Sequence, residues 1–289
     1  MRVVREDPQW SVQPDLVRRC VDALEEPIVS PGLVELVFAD DLSTAVRARL
    51  SGSEAASYSA RRQAVEAVAR VVHRGPHTSV VVATPILLGL EGANIDSTWI
   101  IAHEARHVAI HQYGESTSDG TGRLRTSVDY FTAVAGNVIE EYRVERALCD
   151  RGQLLTASYN ARLAGVVERL TPVFDSVASV PESKGIPLVT SAFYQLATYL
   201  SYVIADVLAS RGAHVPDAMG QPGWDRLVGS AWDMLTGSLA VVPSADVRWD
   251  RADADEAMRR LVAPHRDWLN RIGLQLHDGP FGRLSLRAA

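Results

Sequence analysis

Leu16, Val17, Cys20, Val21 and Leu24 recur at the three-and-four spacing of a helix and predict one over Asp15–Glu26, stopped by Pro27. Leu33–Phe38 is short and alternating, which predicts a strand. Ser57–Arg74 repeats apolar residues at helical spacing up to Gly75-Pro76, so a helix with a clear stop is expected there. Thr78–Leu88 is β-branched and apolar and reads as a strand. Pro85 has no amide hydrogen, so this strand is expected either at a sheet edge or broken at Pro85. Asp96 or Ser97 stands where it can cap a helix over Thr98–Tyr113, which stops at Gly114. Glu115–Arg125 reads as a polar loop, and Ser127–Asp150 as a long helix ended by Gly152.

Strand signals then fade. Ser158–Leu170, Val189–Arg211, Trp224–Leu239 and Ala252–Leu274 carry helical patterns, with the proline-bearing stretch Thr171–Pro187 expected as a linker or long loop. The expected fold is α+β and mostly helical. It has a small sheet with helices on one face, an edge strand next to the Thr98–Tyr113 helix, and a C-terminal helical lobe. Residues 1–175 are expected to form a metal-binding domain and 176–289 the lobe, whether or not the two pack as one unit.

With 289 residues, 47% of them hydrophobic, the chain can bury a core, which excludes global disorder. A net charge of −6 argues against nucleic acid as the main partner, because phosphate binding is normally built on a basic surface. Cys20 and Cys149 are too few for a disulfide framework or a Cys-rich zinc site. The N-terminal MRVVREDPQW lacks the apolar run of a signal peptide. The apolar stretches near Val80–Leu90 and Ala197–Ala209 are too short or interrupted to span a bilayer. A cytoplasmic protein without a membrane partner is therefore expected. No lysine-bearing phosphate loop and no G-x-S-x-G elbow is present.

The chemistry concentrates at His103-Glu104-Ala105-Arg106-His107, an H-E-x-x-H motif. Residues four apart on a helix lie one above the other, so both imidazoles can face one ion with Glu104 beside them. Zinc catalysis needs such neutral nitrogen ligands, an open position for water, and a carboxylate to take the water's proton. A third protein ligand is required. His111 lies a further turn along with no glycine turn between, so three residues in a row cannot easily converge, and a supporting role is expected for it. Downstream, Phe131, Val134, Val138, Glu141, Glu145 and Leu148 follow helical spacing and place two carboxylates on an otherwise apolar stripe. Unpaired buried carboxylates cost several kcal/mol, so these should be paired or metal-bound. Glu141 is assigned as the third ligand, Glu145 as a hydrogen-bond acceptor for a ligand histidine, and Glu140 as the fallback ligand. The competing reading is a solvated helix face on which Glu140, Glu141 and Glu145 pair with Arg143 and Arg146.

HEARH followed by a helix with Glu141-x-x-x-Glu145 resembles the gluzincin branch of the zincin metallopeptidases. Asn137-Val138-Ile139-Glu140-Glu141-Tyr142-Arg143-Val144-Glu145 is also similar to the N-x-x-E-D-x-R-x-E strings of some bacterial metallopeptidase-like domains. The resemblance covers about Thr78 to Leu148, and Glu145 stands where an aspartate is common. It implies a Zn2+-dependent peptidase that binds a peptide or protein in a cleft, with Thr78–Leu88 as the edge strand that pairs with extended substrate. Glu104 would be general base and then proton donor to the leaving amine. The oxyanion donor is left open among Tyr113, Tyr130, Tyr142, Tyr194, His77 and His214. Two other readings stand beside the hydrolase. Two His and one carboxylate can hold Fe2+ in a peptide-modifying oxygenase. The same ligands can also stabilise a non-catalytic binding or regulatory protein.

Overall fold

In the computed structural model, which describes residues 1–6, 9–52, 54–55, 68–93, 95–118, 126–153, 156–216, 219–279 and 284–288, contacts divide the chain into Met1–Gly114 and Glu115–Ala289. The first unit runs β1 (Arg2–Glu6), α1 (Pro14–Glu25), β2 (Val34–Ala39), α2 (Leu42–Arg49), β3 (Ala69–Arg74), β4 (His77–Ala83), α3 (Thr84–Gly92) and α4 (Thr98–Gln112). Its sheet has the order β1-β2-β4-β3, parallel except for the β3–β4 hairpin.

Period-two alternation divides the sheet's apolar residues between two cores. Leu36, Phe38, Val80 and Val82 join Leu16, Cys20 and Leu24 of α1 and Ile100, Ile101, Ala105 and Val108 of α4. Val37, Ala39, Val81 and Ala83 pack instead with Leu42, Ala45 and Val46 of α2. Helices thus cover both faces, where the sequence suggested one. The signal for the second layer lay in β2 and β4, whose Leu36–Ala39 and Val80–Ala83 are continuously apolar, as strands buried on both faces are.

Two further expectations change. Ala69–Arg74 is strand β3, not the end of a helix; the 57–67 part of that expectation lies outside the described residues. Arg74 pairs with His77 around Gly75-Pro76, and Gly75 has φ 59°, the positive value that tight hairpin turns require. Long-range pairing with β4 therefore overrides local helical spacing. The second change concerns Thr78–Leu88. β4 stops at Ala83, and Pro85 lies in the first turn of α3, where a missing N–H is no loss. β4 is an interior strand, so it is not the edge; the edge strand beside α4 is β3.

The second unit contains α5 (Ser127–Asp150), α6 (Thr156–Ser176), α7 (Glu182–Ala209), α8 (Ser230–Leu239), α9 (Arg251–Arg271) and a hairpin of β5 (Leu274–Asp278) and β6 (Leu284–Ala288). α5 packs against α7 and α9, and α6 against α7. Because α5 and α6 belong with the later helices, the contacts divide the chain at Gly114/Glu115 and not at 175/176. The fold is α+β and mostly helical.

The expected linker Thr171–Pro187 is largely helix. α6 continues through Pro172, and α7 begins at Glu182 and includes Pro187. Leu170, Phe174 and Val177 are buried there, and this burial offsets the cost of an interior proline, about 3 kcal/mol. The β5–β6 hairpin was not expected either, although Leu274 and Leu276 flank exposed Gln275 in strand alternation. α7, starting before Ala197, is long and apolar enough by length and composition to cross a membrane; 61% of its most apolar window is buried within the fold.

Gly136 on α5 allows one close approach that matters for the site. A Cβ there would stand 2.2 Å from the Thr117 carbonyl oxygen. With hydrogen alone at that position, the Thr117 hydroxyl donates to the Gly136 carbonyl at 2.7 Å, and segment 115–118 lies against α5.

Candidate metal centre

α4 turns its apolar side, Ile101, Ala105 and Val108, into the core and leaves His103, Glu104 and His107 half-buried. Asp96 Oδ1 accepts from the Thr98 amide at 3.0 Å, while the Ser97 hydroxyl donates to Glu91 and caps nothing. At the other end, Gln112 Oε1 accepts from the amides of Val29 and Ser30 at 3.0 and 3.1 Å. His111 stacks on His73 of β3, ring centroids 3.5 Å apart, so it supports the fold and is no ligand of the motif. Gly114 at φ 72° ends the helix.

The Nε2 atoms of His103 and His107 stand 3.2 Å apart, with ring centroids 4.9 Å apart. One turn of helix accounts for this without help from tertiary structure. Two nitrogens each about 2.0–2.1 Å from a single tetrahedral ion are separated by about 3.3 Å, so the pair fits a shared cation. Glu104 makes no hydrogen bond or ion pair among the described residues.

On α5, Thr126 and Asp129 form a reciprocal capping box that starts the helix where the sequence places it. Glu140 and Glu141 then separate. Glu140 is buried, and its Oε2 accepts from the Ser116 hydroxyl at 2.9 Å and the Thr117 and Ser118 amides at 2.9 and 3.1 Å. That oxygen is therefore committed to segment 115–118. Glu141 is half-buried, and its Oε2 accepts from the Tyr202 hydroxyl at 3.0 Å. His103 and His107 thus pair on α4 of the first unit, and Glu141 stands on α5 of the second. Two imidazoles and a glutamate are a donor set that catalytic zinc sites use, with a fourth position kept for water.

Glu145 is buried one turn beyond Glu141. Arg143 is buried too, and donates to Glu115 at 2.8 Å and to the Val247 carbonyl at 3.0 Å, with its guanidinium over the Trp249 ring. Arg146 pairs with Asp150 at 2.9 Å. The solvated-face reading of these charges is thus overturned: Glu140, Arg143 and Glu145 are interior groups.

Most oxyanion candidates are engaged elsewhere. Tyr130 donates to the Thr190 carbonyl at 2.8 Å, and burial pushes its phenol well up. Tyr142 is buried beside Arg146, and burial raises its phenol also. Tyr194 donates to Asn137 at 2.5 Å, and His214 lies 2.9 Å from Asp206. His77 opens β4 at the hairpin and Tyr113 caps the C-terminus of α4. The tyrosine at the candidate ligand is Tyr202, which sequence reasoning missed. Its signal was the spacing Tyr194, Thr198, Tyr202 on α7, which matches Asn137, Glu141, Glu145 on α5. Burial raises the Cys20 thiol to about 12 and pushes the Cys149 thiol up as well, so neither is a ready thiolate.

No family model, curated protein or solved structure matches this chain.

Proposed function

We propose that this protein is a zinc-dependent hydrolase that cleaves peptide or amide bonds. The observation that carries the reading is the 3.2 Å approach of the His103 and His107 Nε2 atoms on the helix that also carries Glu104. His103, His107 and Glu141 hold the ion. A bound Zn2+ lowers the pKa of water from about 16 to about 7 and polarises a carbonyl oxygen. Glu104 takes the proton of the attacking water and hands it to the leaving amine nitrogen. Glu145, buried one turn from Glu141, orients a ligand imidazole by accepting its second ring N–H. Glu140 holds segment 115–118 and takes no part in the chemistry.

The test is metal analysis of the purified chain together with cleavage of a peptide library, before and after a chelator. About one zinc per chain, with cleavage lost on chelation and restored by Zn2+, is expected. A purified, folded protein with no stoichiometric metal overturns the reading. Bound iron with oxygen consumption replaces it with the oxygenase, and metal-dependent stability without turnover replaces it with a binding protein.

A further inference from the structure

Asn137 and Glu141 project from α5 toward α7, whose Tyr194, Thr198 and Tyr202 repeat at the same one-turn spacing. Tyr194 donates to Asn137 Oδ1, Asn137 Nδ2 donates to Thr198 Oγ1 at 2.8 Å, and Tyr202 donates to Glu141 Oε2 at 3.0 Å. The Thr198 hydroxyl also donates to the Tyr194 carbonyl at 2.9 Å. The result is a polar ladder in a helix–helix contact whose neighbours, Val134, Val138, Leu196, Ala197 and Leu200, are apolar and buried. Such a ladder favours one register of α5 against α7, because a slip of one turn would exchange the partners of Asn137 and Glu141.

We propose that Tyr202 is a positioning residue for Glu141, holding that carboxylate so that it offers a cation one oxygen and not two. The proposal rests on the metal-site reading above. A carboxylate that chelates with both oxygens must turn both toward the ion, and this competes with a phenolic hydrogen bond at Oε2. Keeping that bond favours attachment through a single oxygen, holds the coordination number low, and preserves a position for water.

Zn2+ and Co2+ binding to the full chain, by chelator competition and visible absorption, tests this in the wild type, Tyr202→Phe and Tyr199→Phe. Tyr199 lies on the same helix with its ring 5.7 Å from that of Tyr202, so its variant reports general damage to α7. Tyr202→Phe is expected to bind Zn2+ about 10–100-fold more weakly. Its Co2+ complex is expected to absorb less strongly than the wild type, since Glu141 turns bidentate and the coordination number rises. Tyr199→Phe is expected to match the wild type. An unchanged Co2+ spectrum in Tyr202→Phe overturns the proposal, as does an equal affinity loss in Tyr199→Phe. A wild type that binds no Zn2+ overturns the metal-site reading itself, which separates the two failures. If Tyr202→Phe does not fold, a structure of the Zn2+-loaded wild type decides: one Glu141 oxygen on the ion upholds the proposal and two overturn it.

Discussion

Glu140 and Glu141 are adjacent on one helix yet serve different parts of the fold: Glu140 is bound by the 116–118 segment and Glu141 by Tyr202. Neighbouring positions on a helix point about 100° apart, so two consecutive carboxylates meet different partners.

This division predicts opposite phenotypes. Glu140→Ala leaves the Thr117 and Ser118 amides and the Ser116 hydroxyl without their acceptor and should cost about 2–4 kcal/mol, measured by urea unfolding. Metal stoichiometry should persist in whatever fraction folds. Glu141→Gln should unfold near the wild-type denaturant midpoint and lose stoichiometric zinc. The reverse pattern would assign the ligand to Glu140.

Glu104→Gln should retain zinc at about one per chain while peptide hydrolysis falls about 10²–10⁴-fold, the usual contribution of a positioned proton acceptor. Metal analysis and a cleavage assay on the same sample check both halves. Full activity in this variant would remove Glu104 from the mechanism. The metal half carries its own contrast: a 3.2 Å Nε2–Nε2 separation also suits a hydrogen bond between neutral rings, and that arrangement would show no zinc.

Gly136→Ala should destabilise the second unit despite alanine's better helix propensity, worth about 1 kcal/mol. The added methyl would stand 2.2 Å from a backbone oxygen, so segment 115–118 must move and lose the bonds to Gly136 and Glu140. A net loss of about 1–3 kcal/mol is expected in chemical unfolding. Unchanged stability would show that the segment does not need this approach.

His265 on α9 is fully buried beside Phe193 and Trp268, and burial lowers its pKa from 6.5 to about 4. The unfolded chain takes a proton there at a higher pH than the folded chain does. Protons therefore favour unfolding between about pH 6.5 and 4, and stability rises with pH across that window. At pH 5 the loss from this one residue should be about 2 kcal/mol relative to neutral pH. Urea titrations at pH 5 and pH 7.5 on wild type and His265→Leu check it; equal pH dependence in the two proteins would refute it.

Much of the site was legible because it is local. The pairing of His103 with His107 follows from helical pitch alone, and Gly114 and Gly152 mark where the two helices end. Less of the fold was legible. Ala69–Arg74 has helical spacing but forms a strand, and Thr171–Pro187 has loop composition but is mostly helix. In both places the deciding partner is remote: β4 for the first, the apolar contacts of α6 and α7 for the second.

From the sequence alone came the α+β, mostly helical class, the facing imidazoles with Glu104 beside them, and a shortlist of two carboxylates. Tertiary structure alone decided that Glu140 belongs to the 116–118 segment, that Tyr202 attends Glu141, that β4 is interior, and that Arg143 pairs with Glu115. The physical reason is range. Helical pitch and capping are settled within about one turn, whereas the partner of a buried polar group depends on which distant segments the packing brings beside it.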